Sequence, residues 1–81
     1  MKIVKFSMKH CPSCRKLDAL LEKLDLHCDE VVMDMESITT KYQIFSVPTL
    51  IKFKDDEEID RITGLVPPTR IKQFFEDEEN G

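Results

Sequence analysis

Two cysteines separated by two residues, in Met8-Lys9-His10-Cys11-Pro12-Ser13-Cys14-Arg15-Lys16-Leu17, constrain this chain more than any other feature. An apolar strand pattern runs into the pair and a helical pattern follows it, which puts both sulfurs on one turn, within bridging reach without backbone movement. Pro12 suits the first helical turn, where its missing N–H would have lacked an intrahelical partner, and it ends the strand. The unpaired N–H groups and the positive dipole end at a helix start favour an anion, and the reactive form of cysteine is an anion. Cys11 is therefore the expected activated thiol. Lys9, His10, Arg15 and Lys16 add positive or protonatable charge in the same direction.

The competing reading of the pair is a structural metal site. Zinc wants four ligands, and the remaining candidates, His10, His27 and Cys28, supply no second C-x-x-C or H-x-x-x-H. No metal is expected. Cys28, between the first helix and second strand, reads as a small packed side chain.

The length of 81 residues predicts one domain, 1–81, with a single core under about four strands. Lys and Arg number 12 against 16 Asp and Glu, a net charge of -4 with no basic stripe, which leaves nucleic-acid binding without electrostatic support. A strand pattern starts within two residues of Met1, and no apolar run approaches ~18 residues, so neither a leader nor a membrane span is expected. Three cysteines, an odd count, argue against a secreted disulfide framework. Together these point to a cytoplasmic protein. The acidic run 76–79 reads as a solvated tail.

Strand alternation covers 2–7, with Val4 and Phe6 opposite Lys5 and Ser7, and again 30–35 and 49–54. From Cys11 to about Leu26, Leu17, Leu20, Leu21 and Leu24 form one apolar helical stripe. Ser37 can cap a short helix over 37–43. A polar turn at 55–58 leads to a fourth strand at 59–63, antiparallel to the third because the connection is so short. Pro67-Pro68 starts a last helix with Ile71, Phe74 and Phe75 on its apolar side. The order is β-α-β-α-β-β-α, an α/β fold with a four-stranded mixed sheet and helices on both faces. Strand parity leaves Lys5, Glu30, Lys52 and Lys54 opposite the apolar face. The Leu-rich and Phe-rich helices are expected to cover the apolar face, leaving the charged one incompletely covered.

The cysteine pair, Ser46-Val47-Pro48-Thr49 and the strand ending at Gly64 together resemble the thioredoxin/glutaredoxin superfamily along nearly the whole chain. The stretch from Tyr42 to Phe53, then a polar turn, strand, Gly64 and helix, is similar to the C-terminal half of a thioredoxin. Length and start point are similar to a glutaredoxin, and the first strand and helix of a full thioredoxin are absent. The resemblance implies a cis peptide before Pro48, facing Cys11 and Cys14, with the Val47 backbone open to an extended substrate. His10, Pro12, Gly64 and Leu65 would complete the site wall.

The chain departs from both patterns. The Trp and Gly-Pro of thioredoxins are replaced by His10 and Pro12-Ser13. The basic residue and Gly-Gly of glutaredoxins are replaced by Met8 and Gly64-Leu65, which argues against a glutathione cleft. A buried Asp and its partner Lys in thioredoxins correspond to Lys5 and Glu30, either a charge-swapped functional pair or an exposed surface pair; parity favours the exposed one. With Lys9 and Arg15, they are the candidate tuning residues.

The activity implied is thiol-disulfide exchange through a redox-active Cys11–Cys14 disulfide, with no bound cofactor. Partners would be disulfide-containing proteins and a reductase such as thioredoxin reductase, with the chain a monomer. Glutathione-linked activity, or iron-sulfur or metal binding through the same cysteines, is the alternative.

Overall fold

The structure, a computed structural model, describes residues 1–32, 34 and 42–76. Its elements are β1 (Lys2–Ser7), α1 (Pro12–Lys23), β2 (Asp29–Val32), β3 (Thr49–Lys54), β4 (Glu57–Thr63) and α2 (Pro68–Glu76). The sheet order is β2-β1-β3-β4. β1 pairs parallel to β2 and antiparallel to β3, and β3 pairs antiparallel to β4. The helix expected over 37–43 lies outside the described residues except for Tyr42 and Gln43, and β2 was expected to run on to 35, where Met33 and Met35 are likewise outside.

β1 is central, so its alternating residues are buried on both faces. On one face Leu50 and Ile62 form a core with Leu17 and Leu21 of α1 and Ile71 and Phe74 of α2. On the other, Val4, Phe6 and Ile51 pack with Ile44, joined by half-buried Met8, Val31, Tyr42, Val47 and Phe53. Phe6 and Tyr42 stack tilted, with ring centroids 4.6 Å apart.

Both described helices cover the face that carries Lys5 and Lys52, the reverse of the expectation from strand parity. Each lysine is only 4 % exposed. The physical reason is that a lysine stem is aliphatic and long, so it packs beneath a helix while the ammonium reaches a partner. Lys5 reaches Asp18 and Glu30, and Lys52 lies 4.5 Å from the centroid of the Phe74 ring. The pairing of Lys5 with Glu30 is thus covered on the lysine side and open to solvent on the glutamate side.

Local chemistry sets the boundaries. α1 stops at Lys23, short of the expected Leu26, because Asp25 adopts a left-handed φ of 56°. Leu26 N–H then returns to Leu21 O at 2.9 Å and Asp25 N–H to Glu22 O at 3.1 Å, a Schellman closure made without glycine. Asp55 and Asp56, with φ of 52° and 68°, make a two-residue hairpin turn, so β4 begins at Glu57 rather than 59.

Candidate active site

β1 delivers the chain to the site. After Ser7, His10 takes a left-handed φ of 58° and turns the backbone into α1, with Cys11 as N-cap and Pro12 in the first turn. Cys11 and Cys14 are joined by a disulfide, their Cα atoms 5.2 Å apart. Cys14 N–H donates to Cys11 Sγ at 3.1 Å, so the cap atom is the sulfur itself. Cys11 is half-buried, whereas Cys14 is 4 % exposed.

Two other segments close on the pair. The Val47–Pro48 peptide is cis. Ser13 Oγ lies 3.4 Å from Cys11 Sγ and donates to Val47 O at 3.4 Å, tying the first turn of α1 to that segment. Gly64 N–H donates to Pro48 O at 2.8 Å, and Thr49 Oγ1 donates to Ser46 O at 2.7 Å. Gly64 has a φ of 79°, a conformation that a Cβ would strain, and the space beside it is open. Leu65 and Phe45 stay exposed beside this wall. The chain leading into this segment is also held. The Arg61 guanidinium donates to Tyr42 O and Gln43 O, each at 3.2 Å, and is gripped by Glu58 through two bonds of 2.6 Å. Glu58 is held below the usual carboxylate range by its bond to Arg61.

Beneath the pair lies a charge cluster. The Lys5 ammonium is ion-paired to Asp18 and sits 2.9 Å from Glu30, which also accepts from Ser7 Oγ at 3.0 Å. Glu30 is pulled below the usual glutamate range chiefly by its bond to Lys5, which outweighs the opposing effect of burial, with a lesser contribution from the bond to Ser7. A cavity of about 320 Å³ connects this cluster to the site, lined by Cys11, Cys14, Asp18, Glu30, Lys9 and Arg15. Cys28 lies in a separate hollow on the other side of the cluster, and burial pushes its thiol up, consistent with packing against the α1 core. Among the described residues, no three His, Cys, Asp or Glu side chains converge as metal ligands.

Cys11, Cys14, His10, Pro12, Val47, Pro48, Gly64 and Leu65 therefore occupy one end of the sheet, and Lys5 and Glu30 lie just below it. Sequence reasoning missed Asp18, although its spacing of four from Cys14 puts both on one flank of α1. It also missed Ser13 as a tie to Val47 and Arg61 as a tie to Tyr42 and Gln43, upstream of the Val47–Pro48 peptide, for which the sequence carries no local signal.

A sulfur pair that caps a helix and opens to solvent at one atom is built for exchange with thiols and disulfides of other molecules. The class this defines is that of the thiol-disulfide oxidoreductases. The thioredoxin sequence profile matches residues 1–77, and the chain belongs to the thioredoxin family. It is 31% identical to a thioredoxin of Staphylococcus epidermidis, the match covering 94% of this chain and 80% of that protein. With a thioredoxin of Chlamydia caviae it shares 33% identity over 78% of this chain and 68% of the relative. Among solved structures, the Malassezia sympodialis thioredoxin Mala s 13 superposes with a TM-score of 0.73 at 21% identity, over 90% of this chain and 70% of the other, a likeness of fold. Oxidised thioredoxin O2 of Arabidopsis thaliana gives 0.71 at 25% identity, over 93% and 71%. Family membership carries with it disulfide-containing protein substrates and a reductase that restores the dithiol. Among the described residues, no helix is long and apolar enough to cross a membrane.

Proposed function

We propose that this chain reduces protein disulfides, with Cys11 as nucleophile and Cys14 as resolving thiol. The reading is carried by the asymmetry of the pair: Cys11, the N-cap at the helix terminus, is half-buried, and Cys14 in the first turn is buried. In the reduced protein the Cys11 thiolate attacks one sulfur of a substrate disulfide. The substrate S–S bond breaks, a mixed disulfide forms, and the released substrate thiolate takes a proton. Cys14, deprotonated, then attacks Cys11 Sγ. The mixed disulfide breaks, the Cys11–Cys14 bond forms, and the substrate leaves with both of its sulfurs as thiols, having gained two electrons and two protons.

The Val47 backbone offers an extended substrate a partner, and His10, Pro12, Pro48, Gly64 and Leu65 frame its path. Lys5 is the positioning charge for the second step. A cation near Cys14 favours its thiolate, and Glu30 or water in the adjoining cavity takes the proton. The protein acts as a cytoplasmic monomer, recharged by a thioredoxin reductase.

The test is reduction of insulin disulfides, run in parallel with thioredoxin reductase plus NADPH and with glutathione plus its reductase. Turnover is expected with the first couple. Cys14→Ser should accumulate a mixed disulfide, and Cys11→Ser should be inert. Turnover only with glutathione would replace the recharging partner, and trapping by Cys11→Ser instead of Cys14→Ser would reverse the roles.

A further inference from the structure

The two ends of the sheet differ in charge. β1, β2 and β4 end, and β3 begins, at the edge where Cys11 and Cys14 sit. Around the cysteines, residues 8–17 contain Lys9, Arg15 and Lys16 and no carboxylate, and segments 44–49 and 64–68, which wall the site, carry no charge. At the opposite edge exposed Asp25, Asp29, Asp55, Asp56 and Glu57 outnumber exposed Lys2 and Lys54. The chain is acidic overall, with a net charge of -4, yet the stretch that flanks the cysteines carries cations only, and the two carboxylates that line the adjoining cavity, Asp18 and Glu30, share the Lys5 ammonium.

The anions near the site are already engaged. Asp18 and Glu30 both bind the Lys5 ammonium, and Asp34, just beyond β2, has an interaction of its own. Among the described residues, Lys9, Arg15 and Lys16 are exposed and have no ion-pair partner. Lys9, His10 and Arg15 line the same cavity as Cys11.

We infer that this rim selects disulfides flanked by acidic residues, making the preferred substrate a protein or peptide with Asp or Glu next to the cysteines of its disulfide. The inference rests on the disulfide-reductase reading above and names its substrate class. Uncompensated cations around a reactive atom raise the local concentration of an anionic partner and orient it during encounter. The screening length is about 8 Å at physiological salt, so charges this near the sulfur still act on a docking peptide. The same cations also favour the Cys11 thiolate, but that effect is identical for every substrate. Dependence on substrate charge separates the two.

The experiment uses three peptides with one internal disulfide, identical except for Asp, Asn or Lys beside each cysteine. Their reduction by the reduced 81-residue chain is followed at about 0.02 M and about 0.5 M salt. The expected order is Asp, Asn, Lys, with a span of roughly tenfold at low salt that collapses to within about twofold at high salt. Lys9→Glu combined with Arg15→Glu should reverse the order, and Lys54→Glu, at the opposite edge, should preserve it. Equal rates for the three peptides, or equal slowing of all three in the double variant, overturn the inference and leave the reductase reading standing. Failure to reduce any of them overturns both.

Discussion

Lys5 and Lys52 lie on the same sheet face under the same pair of helices, equally buried, and are held in different ways. Lys5 lies between the carboxylates of Asp18 on α1 and Glu30 on β2. Lys52 sets its ammonium over the face of Phe74 on α2. The two carboxylates that hold the first lysine line the cavity shared by both cysteines, which links its charge to the place where thiolates form. The second belongs to the packing of α2. Burial alone therefore does not make a lysine part of the chemistry; what matters is which groups its charge can reach.

The largest effect expected is on the α2 side. Phe74 is fully buried, and Phe74→Ala should lower stability by about 3–5 kcal/mol in denaturant titration, because it opens a cavity and removes the ring beneath Lys52. A loss below about 1 kcal/mol would mean that α2 is not packed as described.

The comparison sharpens with paired variants. In Lys5→Met the resolution of a preformed mixed disulfide should slow about tenfold at pH 7 and its pH profile should move upward, since the Cys14 thiolate loses a nearby cation while two carboxylates remain. Lys52→Met should leave both the rate and the profile unchanged. Equal behaviour of the two variants in rapid-quench measurements would erase the distinction.

The smallest effect concerns Glu30. Its folded carboxyl is lowered by Lys5, so the stability it contributes is complete above the ordinary glutamate pKa of about 4.3 and is lost as pH falls through the lowered folded value. Its side chain is 45% exposed, and solvent screening keeps the contribution below about 1 kcal/mol. Glu30→Gln should therefore be slightly less stable than the parent at pH 7, and the two should converge on acidification. A gap that widens toward low pH would contradict the assignment.

Much of this arrangement is legible in the sequence, for definable reasons. The alternation over β1 and β3, the Leu and Phe stripes of the helices, and the helix-capping cysteine pair are local patterns, and the structure reproduces them. The face covered by the helices was misread because parity assigns residues to faces but does not say which face is buried. Charge was taken as a sign of exposure, whereas Lys5 and Lys52 bury their stems. Helix termination at Asp25 and the turn at Asp55-Asp56 used aspartates in left-handed backbone where glycine would have been the signal. The ties from Ser13 to Val47 and from Arg61 to Tyr42 and Gln43 join residues distant in sequence, and no local pattern announces them.

The most direct test of the account is the rate at which each cysteine of the fully reduced protein reacts with iodoacetamide at pH 7, read residue by residue by mass spectrometry. An ordinary thiol, with a pKa of about 8.5, is mostly protonated there, and a helix-terminal thiolate is not. The prediction is that Cys11 is alkylated at least about tenfold faster than a cysteine in a short peptide, with Cys14 and Cys28 far slower. If Cys11 reacts no faster than the peptide, or Cys14 reacts first, the proposed exchange mechanism is contradicted.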